Sequence, residues 1–425
     1  MKHFKCRKQV LLAVCIILLA NGAAAENLNQ AWNTAIAADH SLKSVRENTA
    51  AANQILAASK SARLPGVSLE AGFTALEHEP AIIFAGTQIP TAQDDFVAYK
   101  AMTTLPLYTG GRISQGIDAA TALVKAAELG ETSSTQNLKL RVADAYISVL
   151  RTTRGLKVAE SHVASLDAHA RDVDNLREQG LVVKTAALSA QVSLLDARQR
   201  ALQATNGLEL AQSSYNRLLG RSLEQSVELE ELSPSLGNEN ISDLTERALV
   251  QSSELAAMER QIEALRHQAR AIKGENLPQI GVAAGYGRQQ NRYMVEDGSW
   301  SVALGMKWNV FDGGVVRSKA GAIERQAASL IEQRDDLRSL IRLQVRQAWL
   351  DVGESRKRTE VTRAAIAQAE ENLRVVRDRY VNGLASHTEV LDAETLRVNS
   401  ETNHANAFFD AVMAELRLKR AVGEL

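Results

Sequence analysis

The chain repeats itself, and that repetition limits its possible folds more than any other feature. Thr109-Gly110-Gly111 and Asp312-Gly313-Gly314 lie 313 − 110 = 203 positions apart. The same 203 carries Val142 to Val345, Ala145 to Ala348, Tyr146 to Trp349 and Gly180-Leu181 to Gly383-Leu384. It continues through Thr185 to Thr388, Leu188 to Leu391 and Gly220 to Gly423. Upstream, Leu64-Pro65 and Leu277-Pro278 stand 277 − 64 = 213 apart. The offset changes between the two strands of each unit, where a surface loop can vary in length. The chain therefore reads as a tandem duplication: one repeat over 26–220, a second over 242–425, and an inter-repeat segment over 221–241.

Each repeat reads as helix, strand, strand, very long helix, turn and helix. Four stretches alternate with period two, at about 66–75, 96–108, 279–288 and 299–311. In the last, Trp300, Val302, Leu304, Met306, Trp308 and Val310 oppose Ser301, Gly305, Lys307 and Asn309. Trp300 and Trp308 would stand about 26 Å apart along an extended strand. That is close to an apolar band about 25 Å tall edged by aromatic girdles. Tyr108 ends the second stretch in the same way. A soluble amphipathic sheet packed on helices is the competing reading.

Between these stretches run two segments without proline, from Ile113 to Gln179 and from Val316 to Asn382. As single helices each would reach roughly 100 Å. Heptad seams can be assigned. Val142, Val149, Leu156, Val163 and Ala170 form one, with Ala145, Thr152, Ala159, Leu166 and Val173 beside it. The second repeat offers Val345, Val352, Thr359, Ile366 and Leu373, with Ala348, Ser355, Thr362, Ala369 and Val376. Many of these residues are small, so each helix needs neighbours along most of its length. Return helices are expected from about Lys184 to Leu219 and from about Ser242 to Lys273. All six prolines avoid the long helices, and aromatics make up only 4% of the chain.

The N-terminus reads as an export signal over 1–25. Lys2, Lys5, Arg7 and Lys8 precede an apolar run from Val10 to Ala20 and an Ala23-Ala24-Ala25 cleavage site. That run is too short for a bilayer-spanning helix, which needs about 20 apolar residues. Both cysteines, Cys6 and Cys15, fall inside it, so the exported chain would hold no thiol or disulfide. With a net charge of −1 the chain lacks a general polyanion surface, and nucleic acid is not an expected partner. Neither a Walker loop nor G-x-S-x-G nor H-E-x-x-H is present. The Gly-Gly pairs fit strand-to-helix turns better than phosphate cradles. The eight histidines are dispersed, with His387 alone near a region of interest. No enzyme, cofactor or metal site is expected.

Four strands cannot close a membrane barrel, and open edges are not tolerated in lipid. Two copies would supply eight strands and three would supply twelve; arithmetic alone does not choose. On Leu-Pro-Leu-Tyr-Thr-Gly-Gly at 105–111 and Trp-Asn-Val-Phe-Asp-Gly-Gly at 308–314 the chain resembles the TolC-like outer-membrane efflux proteins. The most specific match is Arg379-Tyr380-Val381-Asn382-Gly383-Leu384, followed by Glu389-Val390-Leu391-Asp392-Ala393.

The resemblance implies a mainly α protomer of long coiled-coil helices plus four strands. It also implies a homotrimer whose 12-stranded barrel, in outer-membrane lipid, continues into a helical periplasmic tunnel. Partners would be a periplasmic adaptor and an inner-membrane RND or ABC transporter, in efflux or type I secretion. Gly180, Leu181, Gly383, Leu384 and Ser386 would form adaptor-docking tips. Glu389, Asp392 and Tyr380 would line the periplasmic gate, where the duplicates of the acids are Ala186 and Ser189. Ala385 and Ala186 stand where the family braces its closed state with Arg and Asp, so a salt-bridged lock is not expected. The reading of another class is a soluble periplasmic coiled-coil scaffold or adaptor. The cargo is not legible.

Overall fold

A computed structural model describes residues 25–234 and 239–425. The expected export signal, except Ala25, and four residues of the inter-repeat segment lie outside the described residues. The described part falls into two compact units. One comprises residues 25–43, 133–252 and 339–425; the other comprises 44–132 and 253–338.

The duplication governs the elements one by one. Helix α1 spans Leu28–Ala38 and α2 His40–Ser61; their second-repeat counterparts are α5, Ile241–Gln251, and α6, Ser253–Lys273. In both places sequence periodicity suggests one continuous helix, and in both it is broken. Asp39 and Ser252 adopt extended backbone, and 252 − 39 = 213. Asp39 then caps the next helix, its Oδ1 accepting from the Leu42 amide at 2.7 Å. Short capping side chains compete with the helix for backbone amides, as Asp39 does at the end of α1. Asn27 and Asn240, again 213 apart, cap the starts of α1 and α5.

The long helices are uninterrupted. Helix α3 runs Arg112–Glu178 and α7 Val315–Val381, each 67 residues. The return helices are α4, Lys184–Leu218, and α8, His387–Val422. All twenty heptad positions named above are buried or half-buried. In the first unit Val142, Ile147 and Tyr146 of α3 meet Tyr215 of α4, Phe409 and Met413 of α8 and Leu28 of α1. The Tyr146 hydroxyl donates to the carbonyls of Glu26 and Glu230, each at 2.7 Å. Its duplicate Trp349 does the same with indole, donating to the Glu239 carbonyl at 3.1 Å. A different side chain thus preserves the same strap on each repeat.

The second unit holds the sheet. Strands β1 (Gly66–Ala75), β4 (Asp95–Tyr108), β5 (Gln279–Gln289) and β6 (Gly298–Lys307) are antiparallel in the order β1-β4-β5-β6. Between β1 and β4 lies a hairpin that period-two reading misses, β2 (Ala81–Phe84) and β3 (Thr87–Pro90). Its turn places Ala85 and Gly86 at φ 50° and 84°, the two-residue geometry that suits strand twist. Strand β6 stops at Lys307, short of the expected 311, and leaves Trp308 beyond the ladder. Lys307 pairs with Gln279, and the preceding Pro278 has no N–H to extend the pairing. Trp308 instead donates its indole N–H to the Asn276 carbonyl at 3.1 Å.

Both Gly-Gly pairs are strand-to-helix turns with positive φ. Gly110 has a further constraint. A Cβ there would lie 2.4 Å from the Gly274 carbonyl oxygen, and one on Gly274 would meet the Gly110 oxygen at 2.6 Å. Backbone from the first repeat thus touches backbone from the second at a point where no side chain fits. Gly110→Ala is therefore expected to cost at least ~2 kcal/mol, from left-handed strain plus a backbone clash. It should sharply lower the yield of folded protein in detergent, whereas Gly116→Ala, in open helix surface, should not.

Candidate functional site

Two features are the candidates for a functional site: one face of the sheet, and the paired helical turns far along the chain from it. Register sorts the sheet residues by face. Val67, Leu69, Ala71 and Phe73 of β1 align with Thr103, Ala101, Tyr99 and Val97 of β4. The row continues through Val282, Ala284 and Tyr286 of β5 to Leu304, Val302 and Trp300 of β6. The opposite face carries Ser68, Glu70, Lys100, Thr104, Ser299, Ser301, Lys307 and several glycines. The apolar face is uncovered: Leu69 and Trp300 are each 81% exposed. Leaving such side chains in water forfeits about 1.5–3 kcal/mol apiece. Among the expected interface aromatics, Trp300 lies on this face with its ring 5.4 Å from that of Tyr286. Tyr108 sits at the end of β4 past a register shift, and Trp308 beyond β6.

At the helical turns, α3 and α7 end alike. Gly180 and Gly383 take φ 76° and 73°. The Leu181 amide donates to the Leu176 carbonyl at 2.9 Å and that of Leu384 to Arg379 at 2.8 Å. These six-to-one bonds close the helix ends. They leave Leu181 and Leu384 equally exposed, at 68%. The two repeats then diverge. Val183 begins α4 with no polar side chain, whereas Ser386 begins α8 with a capping box. Ser386 donates its amide and its hydroxyl to Glu389 Oε1, both at 2.9 Å, and its Oγ accepts from the Glu389 amide. These bonds from Ser386 hold the Glu389 carboxyl below the usual range. The S-x-x-E spacing of Ser386 and Glu389 is the sequence signal for this cap. Glu389 is thus a capping residue as well as a surface acid beside exposed Asp392.

Tyr380 is half-buried, whereas both acids are exposed. Its ring packs against the α3–α4 seam of Leu166, Ala170, Val173, Ala187 and Ala190, as do Ala186 and Leu391. Burial, reinforced by Asp172, raises its pKa.

The hairpins α3–α4 and α7–α8 join through buried polar groups that sequence reasoning missed. Glu394 of α8 is 1% exposed. It accepts from Arg397 at 2.6 Å and meets His162 of α3 at 3.2 Å, while Arg377 of α7 bonds both Glu394 and Ser165. Two turns nearer the tips, buried His169 of α3 meets His387 of α8, Nε2 to Nδ1 at 2.8 Å, with the rings nearly parallel. Further along, Asp410 accepts from Arg151 of α3 and Arg358 of α7, each at 2.6 Å. Periodicity cannot reveal such groups, because a histidine or glutamate in a coiled-coil seam looks like a surface residue. Among the described residues no cluster of three or more His, Cys, Asp or Glu could hold a metal ion.

Residues 31–221 and 244–424 match the family described as outer membrane efflux protein. The chain belongs to that family. Within it, the chain is 23% identical over 420 residues to the outer membrane protein TolC of Vibrio cholerae serotype O1, covering 96% of this chain and 93% of that protein. It is 23% identical over 373 residues to the outer membrane protein OprJ of Pseudomonas aeruginosa, covering 85% and 76%. The solved outer membrane protein VceC of Vibrio cholerae superposes with a TM-score of 0.80 at 17% identity, covering 93% of this chain and 96% of that one. At such identity the likeness establishes a common fold of long helices and few strands. The family's sheet is open in a single chain of this efflux protein, with β1 and β6 as free edges.

The buried Glu394 network makes a measurable contribution to stability. Burial opposes its charge, but hydrogen bonds from His162, Arg397 and Ser165 outweigh that and lower its pKa to about 2. A depressed carboxyl stabilises the fold above its unfolded pKa, near 4.5, and that contribution fades as pH falls toward 2. Glu394→Ala should cost about 1–3 kcal/mol in denaturant unfolding at pH 7, because His162 and Arg397 lose a buried acceptor while Arg397 keeps Glu401. The gap from wild type should narrow below pH 4.

Proposed function

We propose that the chain is the passive exit duct of a tripartite efflux or type I secretion system, acting as a homotrimer in the outer membrane. The observation that carries this reading is the four-stranded sheet with one uncovered apolar face and two free edges. Lipid suits that face, and lipid forbids those edges. Strands β4 and β5 pair across the boundary between repeats. The duplication makes β6 and the β1 of a second copy the equivalent pair. Three copies close twelve strands, as the family resemblance implies.

The helices support the same symmetry. Helix α3 packs on α8 through His162–Glu394, His169–His387 and Arg151–Asp410. Shifted by 203, that contact joins α7 to α4, and within one chain α4 keeps the matching face bare. Leu188, Leu195, Leu202 and Leu210 are 55–70% exposed, whereas their duplicates Leu391, Val398, Ala405 and Met413 are buried or half-buried. A second copy's α7 fits this stripe. In this reading Gly180, Leu181, Gly383, Leu384 and Ser386 are the adaptor-facing tips, and the inner-membrane pump lies beyond the adaptor. A soluble scaffold would need neither the lipid-suited face nor the bare edges.

Two outcomes test the duct. Leu195→Arg/Leu202→Arg should abolish the cross-linked trimer and move the protein out of the outer-membrane fraction. Unchanged trimers in that variant would reject the α4 contact. For the gate, Glu389→Gln/Asp392→Asn is preferable to alanine, because glutamine preserves the capping box and spares its ~1 kcal/mol. In planar bilayers this variant should lose most cation selectivity and block by trivalent cations, since a trimer would converge six carboxylates there. Retained selectivity would assign Glu389 to capping alone.

A further inference from the structure

We propose that His169 and His387 form an acid-released latch that holds the α7–α8 hairpin against α3. This rests on reading the helical tips as the closable end of the duct. Ala186 and Ala385 remove the charged braces implied by family resemblance, and the structure places another contact close by. The rings of His169 and His387 lie 4.9 Å apart between centroids and 6° from parallel. Their nitrogens meet at 2.8 Å. One nitrogen must donate and the other accept, so the bond survives with both rings neutral or with one proton shared. A second proton leaves no acceptor and sets two cations edge to edge.

The surroundings favour the neutral pair. From α3 come His162, Ser165 and Asp172, and from α7 come Arg377 and the ring of Tyr380, 5.3 Å from His169. From α8 comes Glu394, itself held by Arg397. The adjoining α4 seam contributes Ala186, Ala187, Ala190 and Leu194. The Tyr380 hydroxyl and His387 Nε2 are both buried without a protein partner among the described residues. Burial, then the His387 and Arg377 charges, lower His169 to about 4, with Glu394 opposing; burial alone lowers His387.

The direction of the pH effect follows. A histidine depressed in the closed form binds fewer protons there than when released. Closure is therefore fully favoured above the free value of about 6.5 and weakens as pH falls through 6.5 toward 4. Between pH 7.5 and 5.5 the His169 site alone raises the open-to-closed ratio about ten-fold. The duplication marks the latch as specific to this seam. Adding or subtracting 203 turns His169 into Asn372, His387 into Lys184, His162 into Ala365 and Glu394 into Gln191. The contact between copies would thus lack the histidine pair.

The test is conductance of purified trimers in planar bilayers at pH 7.5 and 5.5. Wild type should conduct about ten-fold more at pH 5.5. H169Q/H387Q, whose amides can still bond to each other but cannot titrate in this range, should stay flat at the low neutral-pH value. The single H387Q variant, at a half-buried site that tolerates change better, should show a reduced rise. A flat wild type, or an equal rise in the double variant, overturns the latch while leaving the duct intact. No conductance from any of the three at either pH rejects the duct, and the latch with it.

Discussion

The free backbone edges of β1 and β6 set the terms for the rest of the molecule. An unpaired N–H or C=O costs several kcal/mol in hydrocarbon, and each edge presents a row of them. Water is no refuge, because the same sheet carries a continuous apolar face from Val67 to Met306. A single chain is therefore incomplete in either solvent. The duplication supplies a way out, since β4–β5 already shows how one repeat's second strand meets the next repeat's first. The long helices add the same demand, because seams built of alanine, valine and threonine bury too little area to stand alone.

Much of this was legible in the residues. The constant offset foretold two equivalent helices, and α3 and α7 come out with identical lengths. Alternation foretold four strands and their apolar face, because period two maps directly onto sheet geometry. What stayed hidden depended on contacts distant in sequence or on short polar side chains. Asp39 and Ser252 break helices that periodicity would continue, and Asp39 does so through local capping. The β2–β3 hairpin is too short, at four residues a strand, for alternation to register. Glu394 and His169 sit in helical seams where the pattern expects small apolar residues, and they meet His162 and His387 more than two hundred residues away. The acids at 389 and 392 were visible, but the bond from Ser386 to Glu389 gives one of them a second structural duty.

The repeats have diverged most where their contacts differ most. Within a chain, α3 and α8 are joined by charged and aromatic groups that must all find partners, which makes that seam selective about geometry. The matching face of α4 has leucines at intervals of seven or eight residues, which accept a neighbour through shape and burial alone. One duplicated helix pair thus supports two kinds of joint, a polar joint inside the chain and an apolar one suited to joining chains.

The bare α4 stripe also bears on how such a molecule is made. A newly exported chain carries its leucines and its sheet face uncovered at the same time, and neither can be hidden without the other copies. Burial of the stripe and closure of the strand edges therefore become a single event, steep in the concentration of chains. Until that event, each chain is a sticky, edge-exposed species. Biogenesis, more than the finished fold, is then the stage at which a small loss of apolar area on α4 has its largest effect.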